Sequence, residues 1–277
     1  MDMDKDHIAG FTKTNRMVDK NFRWRSGEMT RIEAFSDAVF AFAITLLVVA
    51  LEVPHTFEEL ANAMKGFVAF AICFSMLAMV WHAHVKFFRR YGLQTLQASA
   101  LNCTLLFVVL FYVYPLKFLF TFLVGVFSRG ALLPHGPGQS APMIGDPHSI
   151  TLLMEIYGLG FAAVFLILFF LYRHAYRLRE ALELNEMELH LTRYEMMNQF
   201  AMMCFGLASA VLAAMLPPNR AGIAGMLYGL IGVYHFVAGW IMGARGEKIL
   251  ARMQSVGGPP ASVSAAASGS APSAQKP

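Results

Sequence analysis

From Ala38 to Leu51 the chain carries no charged residue and a single polar side chain, Thr45. This run is the apolar part of a longer stretch from Arg31 to Pro54, RIEAFSDAVFAFAITLLVVALEVP, whose first turns hold Arg31, Glu33 and Asp37. A helix needs about 20 mostly apolar residues to cross a bilayer, where no water is present to satisfy its backbone. The stretch therefore predicts a membrane-crossing helix with polar chemistry concentrated at its inner end.

Similar runs predict further spans over roughly 64–85, 97–117, 150–172, 195–216 and 220–244, which makes six. The chain is 57% hydrophobic and 14% charged, whereas soluble domains carry about a quarter charged residues. The fold class is thus an all-α membrane protein. Thr30 with Glu33, and Thr56 with Glu59, have the spacing of capping boxes that start helices 1 and 2. Pro54 ends helix 1, and Pro115 interrupts helix 3 near its outer end. Three regions follow: a polar N-terminal arm over 1–29, a six-helix domain over 30–252, and a Pro, Ala, Ser and Gly tail over 253–277 that reads as disordered. No removable signal peptide is expected at the N-terminus.

Topology follows from the 22 Lys and Arg residues. With both termini cytoplasmic, all of them fall inside except Lys65, Lys117, Arg129 and Arg220, as the positive-inside rule requires. The localisation expected is the cell membrane, with the lipid bilayer as solvent. A net charge of +4 does not suggest nucleic acid.

No HExxH, GxSxG or P-loop pattern occurs, so the chain reads as no enzyme and needs no cofactor. Cys73, Cys103 and Cys204 each sit within an apolar run, giving no paired metal motif. His82 and His84 point to different helix faces, so no fixed metal site is expected. In helix 6, Gly225 and Gly229 form a GxxxG pair, which favours close helix packing. Residues 177–193 interleave Leu with Glu and Arg and read as a solvated continuation of helix 4 or a connecting helix.

At 100° per residue, Ala38, Phe42, Thr45, Val49 and Glu52 share one stripe of helix 1, with Leu46 beside it. Asp37 lies about 140° from Phe42 on that wheel. A carboxyl in a span faces protein or water, so Asp37 needs partners. Trp81, His84 and Asn102, at the inner ends of helices 2 and 3, are candidates, and Arg31 is another through a neighbouring helix or subunit. This inner end reads either as a structural polar knot or as a proton or ion relay. The stripe likewise has two readings. Either it packs within one subunit, with Thr45 bonded back to a carbonyl one turn earlier, or several copies surround an axis and form apolar and hydroxyl rings.

The segment Arg31-Ile-Glu-Ala-Phe35-Ser36-Asp37 matches RxxxFSD and resembles the signature of the transmembrane protein 175 family of potassium channels, in its bacterial single-repeat form. The likeness is tight over helix 1 and looser at Trp81, His84, Asn102 and Pro115. It implies a homotetramer in which helix 1 of each six-span subunit lines a central pore. It also implies a structural network of Arg31, Phe35, Ser36, Asp37, Trp81, His84 and Asn102. Pore constriction and selectivity would fall on Phe42, Thr45, Leu46 and Val49, with potassium passing Thr45 transiently. Phe42 departs from the branched aliphatic common at its position. The function expected is a potassium-permeable cation channel conducting passively. The alternative is a proton-coupled secondary transporter using an intramembrane carboxylate, Asp37 or Glu155.

Overall fold

The computed structural model describes residues 22–49, 55–128 and 146–256. The described residues form helices α1 (Arg31–Val49), α2 (Phe57–Lys65), α3 (Phe67–Tyr91), α4 (Leu96–Phe127), α5 (Pro147–Arg177), α6 (Glu186–Met215) and α7 (Leu230–Val256). A 3-10 segment, Pro218–Gly229, leads into α7. Five stretches are long and apolar enough to cross a membrane: Phe67–Tyr91, Leu96–Gly125, His148–Arg177, Glu186–Met215 and Arg220–Ile249. This is a membrane protein. α1 holds three charged residues in its first turns, and residues 50–54 lie outside the described ones.

One capping box forms in full and the other in half. Thr30 Oγ1 accepts from the Glu33 amide at 3.2 Å, and Glu33 Oε2 accepts from the Thr30 amide at 2.8 Å. Two of the orphan donors that open α1 are thereby satisfied reciprocally. At Thr56 the hydroxyl accepts from Glu59 N, but the Glu59 carboxylate reaches one residue further back, to His55 N. That cap starts a separate short helix, not the span itself. α2 ends at Gly66, and its Glu58, Glu59 and Lys65 suit an interface better than hydrocarbon.

Two further boundaries differ from expectation. Pro115 does not stop its helix, since α4 runs on to Phe127. Proline removes one ladder hydrogen bond, but the apolar run continues, and membrane helices tolerate the loss where neighbours supply partners. The acceptor that the proline frees is the Phe111 carbonyl. Separately, the Tyr157 hydroxyl donates to the Pro115 carbonyl and the Tyr112 hydroxyl to the Tyr157 carbonyl at 2.7 Å, which ties α4 to α5. The last span does not begin as an α-helix. In PNRAGIAGMLYG, Ala221 and Ala224 are fully buried, and their spacing of three matches the 3-10 repeat. Ser209 on α6 donates to the Ala224 carbonyl at 3.1 Å.

The main core joins α1, α3, α4 and α5 through Phe40, Leu47, Phe87, Phe88, Tyr91, Leu105, Leu168 and Tyr172. Phe87 meets Tyr172 edge to face at 5.2 Å, a geometry that adds about 1 kcal/mol beyond area burial. Lipid is as apolar as a core, so helices associate through fit and hydrogen bonds. Between α5 and α6 the two backbones themselves come close. A Cβ at Gly158 would stand 2.7 Å from the Gly206 carbonyl oxygen, and one at Gly206 would stand 2.7 Å from that of Gly158. The expected pair in the last span does not serve this purpose within the subunit. Among the described residues nothing lies within 4 Å of a Cβ at Gly229, and Gly225 would meet only Met154 Sδ at 3.8 Å.

Candidate functional site

Helix α1 has two faces. Ser36, Phe40, Ala43 and Leu47 are buried against α3 and α4. Arg31, Phe35, Ala38, Phe42 and Thr45 form an exposed stripe on the other side. Phe42 is 57% exposed, and Leu46 lies half-buried at the stripe's edge. Val49 ends α1, and its side chain lies outside the described residues. The Thr45 hydroxyl is within hydrogen-bond distance of the Ala41 carbonyl at 2.9 Å and the Phe42 carbonyl at 2.8 Å. Its proton is committed to the helix, so toward the bare side it offers only oxygen lone pairs.

The buried face carries the polar chemistry. Asn102 on α4 donates through Nδ2 to Ser36 Oγ at 2.9 Å, and Ser36 donates to the Ile32 carbonyl at 2.7 Å. Asn102 Oδ1 lies 2.7 Å from His84 Nε2 on α3. With the proton on Nε2, every link in the chain from His84 to Asn102 to Ser36 to Ile32 has one donor and one acceptor. Beside it, the Trp81 indole donates to Asp37 Oδ1 at 2.7 Å. α1, α3 and α4 are thus tied at one level.

Of the residues expected in the network, Ser36, Asp37, Trp81, His84 and Asn102 come together. Arg31 and Phe35 do not join them. Arg31 makes no hydrogen bond or ion pair among the described residues, and Phe35 is 57% exposed. Helical geometry is the reason: Arg31 and Phe35 stand eleven and seven residues before Phe42, within about 20° of it at 100° per residue. The heptapeptide is therefore divided between two faces of one helix.

Residues 31–112 match the model of the family described as endosomal/lysosomal potassium channel TMEM175. A potassium channel of Marivirga tractuosa is 37% identical over 237 residues, covering 84% of this chain and 95% of that relative. The chain belongs to the TMEM175 family. A Chamaesiphon minutus potassium channel is 34% identical over 112 residues, 38% of this chain and 55% of that relative. The crystal structure of a variant of the potassium channel MtTMEM175, bound to a nanobody–MBP fusion protein, aligns with a TM-score of 0.71. That alignment has 37% identity and covers 81% of this chain and 97% of the other.

In this TMEM175 chain an extended strap precedes α1, and sequence reasoning missed it. Glu188, in the first turn of α6, is 0% exposed. It accepts from Arg23 N at 2.8 Å and from Arg25 Nη2 at 2.8 Å. The amides of Arg25 and Ser26 both donate to the Arg89 carbonyl at the end of α3, and Phe22 packs edge-on against Tyr91 at 5.4 Å. Gly92 makes this approach possible. Its φ is +59°, and a Cβ there would lie 3.2 Å from the Arg25 backbone. The available sequence signal was Asn185 with Glu188, a capping-box spacing that the structure realises, but it says nothing of the arginines.

Removing one partner from a buried ion pair strands the other charge. Here Glu188 keeps Arg23 when Arg25 is removed. Arg25→Ala is therefore expected to lower stability by about 2–3 kcal/mol, the worth of a hydrogen bond to a charged group, with Glu188→Gln costing less because it removes the buried charge itself. Thermal unfolding of the two purified variants measures the order. Equal midpoints would show that the strap contributes little.

Proposed function

We propose that this chain is a potassium-permeable cation channel of the cell membrane, conducting passively through a pore lined by α1 from four identical subunits. Each subunit would cross the membrane six times, with both termini cytoplasmic and α1 as the first span. The constriction would fall on Phe42, Thr45, Leu46 and Val49, with the Ser36, Asp37, Trp81, His84 and Asn102 network holding α1 from behind.

One observation carries this reading most. Among the described residues the α1 stripe with Phe42 and Thr45 is left bare, while the opposite face is bound to α3 and α4. Thr45 presents lone pairs on that bare side, the chemistry that replaces part of a cation's hydration shell, and the apolar rings flanking it would restrict passage. Membership of the TMEM175 family and relatives named as potassium channels support the same choice of ion.

The purified protein, reconstituted in liposomes under a potassium gradient, is expected to give currents reversing near the potassium equilibrium potential. Equal sodium permeation removes the selectivity, and the absence of flux at every pH tested removes the channel.

A further inference from the structure

Leu96–Phe127 is 32 residues long and holds one charged residue, Lys117. A lysine within a span costs several kcal/mol unless it finds a partner or water, and such residues mark working parts of membrane proteins. Lys117 is half-buried, and its ammonium donates to the Leu47 carbonyl at 3.1 Å. Among the described residues it forms no ion pair with a carboxylate. The target is the carbonyl of the third residue counting back from Val49, the last described position of α1.

The base of this arm is itself held. Cys73 on α3, fully buried, donates to the Leu116 carbonyl at 3.7 Å. Leu47 is 1% exposed and directly follows Leu46 at the edge of the bare stripe. α4 therefore grips α1 at two depths, through Asn102 at Ser36 and through Lys117 at Leu47, both from the side away from Phe42 and Thr45. Apolar packing of Phe40, Ala43 and Leu47 holds this face in the core, and the Lys117 bond adds a directional contact at its far turn. Together they set the direction in which Thr45 and Leu46 project.

We infer that Lys117 is a positioning residue for ion discrimination, fixing α1 at Leu47 so that Thr45 and Leu46 keep their orientation. This rests on the reading that α1 lines the pore.

The test compares wild type, Lys117→Met and Lys117→Arg in liposomes, reading the potassium-to-sodium permeability ratio from bi-ionic reversal potentials and assembly from gel filtration. Lys117→Met is expected to assemble and to lower the ratio by about threefold, within the range by which residues coupled to a site but not touching its ligand act. Lys117→Arg, which keeps a cationic donor, is expected to restore most of it. A wild-type ratio in the Met variant overturns the proposal, as does an Arg variant no better than Met. Should the Met variant fail to assemble, a backbone ester in place of the Val48 amide carries the test. It weakens the Leu47 carbonyl as an acceptor and leaves every side chain in place, so the ratio must fall there too, and an unchanged ratio overturns the proposal. A wild type that passes neither ion overturns the channel reading and this inference with it. A selective wild type with an indifferent Lys117 overturns the inference alone.

Discussion

Phe42→Ala is expected to raise unitary potassium conductance by about tenfold, the change that a barrier lowered by 1.4 kcal/mol produces. Phe42 is 57% exposed on the face of α1 that the described residues leave uncovered. Four phenyl rings at one level of a pore axis would exclude water, and a dry apolar ring is a barrier to any hydrated cation. Alanine removes the ring and keeps the helix, since its helix propensity is the best of all residues. Thr45→Ala is expected to act differently, lowering preference for potassium with little gain in conductance. What it removes is the pair of oxygen lone pairs turned outward by the bonds to Ala41 and Phe42. Single-channel recording separates the two effects. Unchanged permeation in both variants would show that α1 does not line the path.

Asn102→Leu is expected to destabilise the protein by about 3 kcal/mol, because two buried partners lose their bonds together. Asn102 is 1% exposed, and Ser36 and His84 are 0% exposed. Leucine would fill the space but leave the His84 N–H and the Ser36 oxygen without a partner in a region where water cannot replace it. Ser36→Ala removes both bonds of one hydroxyl and leaves the Asn102 amide without its acceptor, so about 2 kcal/mol is expected there. The readout is the thermal midpoint of the purified protein, with ion flux measured in parallel. An Asn102→Leu variant with the wild-type midpoint would mean that the polar chain does not hold α1 to α3 and α4.

Much of this arrangement was legible in the residues. The Thr30 and Glu33 cap is local, needing only four consecutive positions, and it forms as read. The stripe through Ala38, Phe42 and Thr45 follows from helical period alone, and the structure leaves that face bare. Trp81, His84 and Asn102 stood out because polar side chains are conspicuous in apolar runs. Another feature was misread for an equally physical reason. The GxxxG spacing at Gly225 and Gly229 marks small residues but not what approaches them, and the close crossing lies at Gly158 and Gly206.

What the sequence determined by itself was therefore what depends on chain-local geometry: which runs are helical and apolar enough for a membrane, where they are capped, and which side chains share a stripe. Only the tertiary structure decided which stripe is covered. In a bilayer both lipid and neighbouring helices are apolar, so composition cannot tell a buried face from a bare one. The grips of Lys117 on Leu47, and of Arg23 and Arg25 on Glu188, join residues 70 to 165 positions apart. No local period encodes such contacts. They exist because the fold brings a donor to an acceptor, the Leu47 carbonyl or the buried Glu188 carboxylate, that has little water to turn to.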